Sequence, residues 1–125
     1  MRRICVMIPT LHPKLAEEAA KVLKEKYPPE ELALLHTSRS FDQAKIISQK
    51  LQGKAELKLI ENTSQWANEA LKYEEIIVLG EVRKEELVKL IEAGHTNIKV
   101  LIWRPCRVEE KGGRREKIKM KEVEI

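Results

Sequence analysis

The sequence predicts one three-layer α/β domain with a mostly parallel sheet and a C-terminal β-hairpin. Three observations carry that expectation. Short apolar runs alternate with stretches of helical spacing, the rhythm of repeated β-α-β units. The runs at Ile4–Ile8 and Ile76–Leu79 are apolar throughout, as in strands covered on both faces. From Arg104 onward the rhythm gives way to a basic segment, 104–125, with a glycine turn at its middle. With 125 residues the chain has the length of a single domain, 1–125.

Each element follows from local chemistry. Pro9 stops the first strand, and Pro13 stands where a first helical residue would. Leu15, Ala19, Val22 and Leu23 then share one helical face until Tyr27-Pro28-Pro29 ends the helix. Leu32–Leu35 is the second strand. Phe41, Ala44, Ile47 and Leu51 form the stripe of the second helix, closed by Gly53. Leu57, Leu59 and Ile60 mark a third strand, and Asn62-Thr63-Ser64 is a cap cluster before a helix with Trp66, Ala70 and Leu71. Ile76–Leu79 ends at Gly80. Leu87, Val88, Leu90 and Ile91 give a fourth helix capped by Gly94, and Ile98–Trp103 a fifth strand. Lys111-Gly112-Gly113-Arg114 reads as a turn and Ile118–Ile125 as the returning strand.

Composition and motif absences exclude several functions. No apolar run approaches the roughly 18 residues of a transmembrane helix. The apolar run after Met1-Arg2-Arg3 is too short for a signal peptide, so the cytoplasm is the expected location. Asp42 is the only Asp against many Glu and Lys, a bias that points to a thermophilic source. There is no GxGxxG, P-loop or GxSxG, and the widely separated His and Cys residues have no metal-ligand spacing. Neither cysteine begins a Cys-x5-Arg loop, because Leu11 and Gly112 occupy the required positions. No metal or cofactor is therefore expected. The net charge of +4 gathers at the end of the chain: Arg104–Ile125 holds eight Lys/Arg and five Glu.

In a parallel sheet, ligands bind outside the carboxyl ends of the strands, which directs attention to loops 9–13, 36–40, 61–64 and 80–84. The second of these, His36-Thr37-Ser38-Arg39-Ser40, is the most polar. Ser40 with Gln43 fits a capping box, which accounts for both without a ligand. Arg39 is less easily explained, because a cation at a helix N-terminus opposes the macrodipole by about 0.3–1 kcal/mol. An anion between Arg39 and the helix amides removes that cost.

Arg39-Ser40-Phe41-Asp42-Gln43-Ala44-Lys45-Ile46-Ile47, after a strand, resembles the segment R-A-x-Q-T-A-x-x-I of the phosphoglycerate mutase-like histidine phosphatases, most of all their short phosphohistidine-phosphatase branch. Leu59-Ile60-Glu61 is similar to the L-x-E that ends that family's next strand. The resemblance implies a shortened histidine-phosphatase fold and a phosphate contact for Arg39. The chain departs from the family's signature: Ile8-Pro9-Thr10 replaces Arg-His-Gly after the first strand, and Leu79-Gly80-Glu81 stands where the second histidine belongs.

Three functions follow as expectations. The first is a non-catalytic relative, regulatory in role, that holds phosphate or a phosphorylated small molecule or protein through Arg39, Ser38, Ser40 and His36. The second is a phosphatase acting on phosphohistidine or a small phosphomonoester, with His12 as displaced nucleophile and Glu81 as acid. The third is a nucleic-acid or protein-binding module using the basic hairpin, with Arg107, Arg114 and Arg115 at the phosphates. His12 precedes Pro13 at a helix start, where the dipole favours the neutral ring.

Overall fold

The computed structural model describes residues 3–9, 11–61, 65–79, 84–92, 94, 97–110 and 113–124, with the stretch from 101 onward described by its backbone and register. The chain runs β1 (Ile4–Ile8), α1 (Pro13–Lys26), β2 (Leu32–His36), α2 (Phe41–Lys50), β3 (Glu56–Leu59), α3 (Trp66–Ala70), β4 (Glu75–Leu79), α4 (Lys84–Glu92), β5 (Ile98–Glu110) and β6 (Gly113–Glu124). Short 3-10 turns at Pro29–Glu31 and Ser38–Ser40 lead into β2 and α2.

The six strands lie in the order β3-β2-β1-β4-β5-β6. The first five strands in sequence pair in parallel, and β6 returns antiparallel to β5. The chain therefore starts in the middle, winds outward through β2 to β3, then crosses back over β1 to build the other half. Right-handed crossovers on both sides of a reversal send the helices to opposite faces. Two cores result. Ile4, Val6 and Ile8 join Ala16, Ala19, Ala20 and Leu23 of α1 and Ala44 and Ile47 of α2. Cys5 and Met7, on the other face of the same strand, join Trp66, Ala70, Val78 and Leu90. All five β1 side chains are buried, and burying one such side chain is worth about 1.5–3 kcal/mol.

Helix α1 begins and ends as its sequence requires. Pro13 lacks an amide proton that would be unsatisfied in the first turn, and the His12 side chain accepts from the Lys14 amide at 3.1 Å. The Tyr27 amide closes the last turn on the Leu23 carbonyl before Pro28 bars continuation. Helix α2 ends through two left-handed residues, Gln52 (φ 60°) and Gly53 (φ 69°), the second donating to the Ser48 carbonyl at 2.8 Å. Glycine tolerates that conformation without the usual Cβ penalty.

Four sequence expectations are corrected. Phe41 is exposed and is not part of the α2 core stripe. The third strand, marked from sequence by Leu57, Leu59 and Ile60, runs Glu56–Leu59 and leaves Ile60 beyond its end; as an edge strand it leaves Leu57 and Leu59 exposed. Leu71 lies beyond the end of α3 and is likewise exposed. Finally, β5 does not stop at Trp103 but continues to Glu110, and β6 starts at Gly113 rather than Ile118. Proline in an apparent strand argues for its end. Here Pro105 falls beyond the last β4–β5 pair among the described residues, Leu79–Leu101, where β6 is the one described strand beside β5 and a missing amide need not break a ladder.

Candidate functional site at the carboxyl edge of the sheet

The strand order reverses between β1 and β4, which makes their carboxyl ends the crevice of this fold. The β1–α1 connection, with Pro9, Leu11 and His12, lies on one side of it. Glu81 follows β4 but lies outside the described residues, as does the Asn62-Thr63-Ser64 cluster after β3. The β2–α2 loop stands next to the crevice, since β2 is the neighbour of β1.

That loop is built by its own polar groups. The Thr37 amide donates to Ser40 Oγ at 3.0 Å, the Ser40 amide returns a bond to the Thr37 carbonyl at 3.2 Å, and the two hydroxyl oxygens stand 3.4 Å apart. The capping box is thus Thr37 with Ser40 around the 3-10 turn. The expected box of Ser40 with Gln43 is not formed, since Ser40 makes no side-chain cap bond to α2. The turn ahead of the helix consumes the serine hydroxyl. Gln43 instead donates from Nε2 to the Leu11 carbonyl at 2.7 Å and ties α2 to the β1–α1 connection. Its Oε1 is buried with no hydrogen-bond partner among the described residues.

The four residues expected to bind a ligand divide into two pairs. His36 is only 4% exposed, and its Nδ1 lies 3.0 Å from the Thr37 carbonyl oxygen. That contact requires Nδ1 to carry the proton, which in a neutral ring leaves the lone pair on Nε2. The Phe41 ring packs against the imidazole at 5.4 Å between centroids. His36 and Ser40 therefore shape the loop from beneath. Ser38 and Arg39 are exposed on its surface, and Arg39 has no ion pair or side-chain hydrogen bond among the described residues. Its guanidinium stands in the first turn of a helical segment whose opening amides have no partner within the helix.

His12 sits across the Gln43–Leu11 tether, exposed, as the cap of α1. Its Nδ1 lone pair receives the Lys14 amide. In a neutral ring with Nδ1 so engaged, Nε2 holds the proton, and neither nitrogen offers a free pair to phosphorus.

Charged clusters away from the crevice have structural work. At the amino end of the sheet, Glu75 is buried with Lys99 Nζ at 2.8 Å and the Tyr27 hydroxyl at 3.5 Å. The carboxylate beside it holds the Lys99 ammonium above the ordinary lysine range. Sequence reasoning passed over this group, although a glutamate opening an apolar strand was its visible signal. Glu69 of α3 pairs with Lys58 of β3 and with Lys72, and the Lys58 bond above all holds its carboxyl below the usual range. Burial pushes the Cys5 thiol up and keeps it in the inert thiol form. Among the described residues, no group of three or more His, Cys, Asp or Glu could hold a metal ion, and no helix is long and apolar enough to cross a membrane.

Fold and site together define a class: a doubly wound α/β domain with a parallel five-strand core, an antiparallel sixth strand, and a cationic loop at the carboxyl edge. No protein-family model and no curated protein matches the chain.

Proposed function

We propose that the protein is a non-catalytic phosphate-binding domain of shortened phosphoglycerate mutase-like plan. It holds phosphate, or a phosphorylated ligand, between the Arg39 guanidinium, the Ser38 hydroxyl and the amides that open the Ser38–Ser40 turn. One observation carries this: Arg39 is exposed and has no partner among the described residues, in a first helical turn at the carboxyl edge of a parallel sheet. A bound anion would satisfy the guanidinium and the opening amides at once, and offset the dipole cost of placing a cation there. His36 and Ser40 hold the loop in shape through the Thr37 bonds. Binding is favoured over phosphoryl transfer because the lone pair that His12 would need is committed to the Lys14 amide.

The test is a thermal melt with phosphate and with sulfate. Stabilisation should follow RT ln(1 + [L]/Kd), about 1.4 kcal/mol at ten times Kd, and vanish in Arg39→Ala. Absence of any shift at millimolar anion overturns the proposal. Turnover of a generic phosphomonoester that is lost in His12→Ala would establish the enzymatic alternative instead.

A further inference from the structure

The hairpin sorts its charges by face. Among the described residues β4–β5 pairing ends at Leu79–Leu101, and residues 102–110 pair only with 113–121, as a two-stranded ribbon beyond the carboxyl edge of the sheet. At ~3.4 Å per residue its nine-residue arm is about 30 Å long. Residues directly opposite in an antiparallel pair share a face, and successive residues alternate. One face therefore receives Arg104, Arg115, Lys117, Lys119 and Lys121 together with Ile102, Cys106 and Val108, and Glu110 at the tip is its only acid. The opposite face receives Arg107 opposite Glu116 and Arg114 opposite Glu109, together with Trp103, Pro105, Ile118 and Met120. The first face continues the side of β5 that carries Ile98 and Val100, packed in the core with α3 and α4.

We infer that the Arg104/Arg115/Lys117/Lys119/Lys121 face of the ribbon binds the phosphate backbone of duplex DNA, independently of base sequence. Three observations support it. Arg115, Lys117, Lys119 and Lys121 recur at every second residue, about 6.8 Å apart, twice the ~3.4 Å rise per nucleotide of one duplex strand. A two-stranded ribbon is also the width that the B-form major groove admits, whereas the A-form groove is too narrow. Arg104 lies directly opposite Lys119 in the register, a like-charge pair that destabilises a bare ribbon and that a polyanion neutralises. On the other face the same ladder opposes arginine to glutamate. A lipid surface fits less well, because the bulkiest apolar residues, Trp103, Ile118 and Met120, fall on the opposite face, while Ile102, Cys106 and Val108 share the cationic one. Of the arginines singled out from sequence, only Arg115 belongs to the binding face.

The experiment measures fluorescence anisotropy of a labelled 20-base-pair duplex of arbitrary sequence against salt concentration. Five phosphate contacts predict a slope of log K against log salt of about −4.5, and Lys117→Gln/Lys119→Gln/Lys121→Gln should reduce it to about −1.8. Arg107→Gln/Arg114→Gln and Arg39→Ala should leave the slope unchanged, the latter separating this surface from the phosphate site. Arg104→Gln/Lys119→Gln should weaken binding while raising the melting temperature, which misfolding cannot imitate. The inference is overturned by no binding at 50 mM salt, or by an unchanged slope in the triple variant. Equal loss in the Arg107/Arg114 variant, tighter binding of duplex RNA or of the single strand, or a lower melting temperature in the Arg104/Lys119 pair would also overturn it. So would preference for anionic vesicles over DNA.

Discussion

The rung that joins β2 to β3 sets Leu34 beside Leu57, the same residue type on the same face of one sheet. Leu34 is 0% exposed and Leu57 is 40% exposed. Leu34 has a strand on each side, β1 and β3, and belongs to the core that α1 and α2 build. Leu57 has β2 on one side only. A leucine's contribution here is decided by the number of layers around it, and the centre of the sheet and its rim differ in just that.

The comparison predicts its own largest effect. Leu34→Ala should cost about 2–5 kcal/mol in urea denaturation, because a fully enclosed side chain leaves a cavity. Leu57→Ala should stay within about 0.5 kcal/mol. Similar losses at both positions would break the distinction between centre and rim.

The second prediction concerns the amino end, where Glu75 is 1% and Lys99 22% exposed. Lys99→Met removes the cation 2.8 Å from a buried carboxylate and should cost about 2–3 kcal/mol, below the range for fully enclosed pairs. Its pH signature is alkaline. The folded state holds the Lys99 ammonium above its unfolded value of 10.5, so the contribution is full below that pH and fades as pH rises further. Cys5, pushed up by burial, erodes stability in the same direction above its ordinary value of 9.0. The difference between wild type and Lys99→Met should therefore narrow above pH 10.5, and a constant difference would refute the role of the pair.

The smallest effect belongs to the rim. Lys58 of the edge strand holds Glu69 of α3, with Lys72 beside it. Because the Glu69 carboxyl is lowered in the folded state, its contribution is full above 4.5 and lost as pH falls through the folded value. Half-exposed partners limit it to about 1 kcal/mol or less. Glu69→Gln should flatten the acid limb of a stability–pH curve, and an unchanged limb would show that the clamp carries nothing.

The distinction between centre and rim also marks where the sequence was legible. Continuous apolar runs identified β1 and β4, and Pro13 and Tyr27-Pro28 located both ends of α1, because these signals are local. Phe41 looked like part of a buried stripe, and Leu57 and Leu59 marked a strand without showing that it lies at the rim, because periodicity records that a residue is apolar, not how many layers cover it. The Gln43–Leu11 tether joins residues 32 positions apart, and a matching capping-box pattern at Ser40 and Gln43 concealed it. Thr37 was the true partner of Ser40, and its signal was an equally ordinary hydroxyl. Arg39 does stand in the turn that leads into α2, and His12 at the start of α1, both positions that the local signals of the sequence implied. Glu81 lies outside the described residues. In the hairpin, the cations were countable from sequence, but their separation by face exists only once the partner of each residue is known.

Two residues, 111 and 112, stand between the last pair of the ribbon, Glu110 with Gly113, and everything down its length is counted from there. The hairpin's charge pattern thus has a phase. A single residue gained or lost in that connection, with β5 held in place, would shift β6 by one position against it. Arg115, Lys117, Lys119 and Lys121 would then be carried to the side now occupied by Trp103 and Met120, without any cation being removed. Composition, net charge and predicted strands would be nearly untouched by such a change, while the polarity of the arm would be reversed.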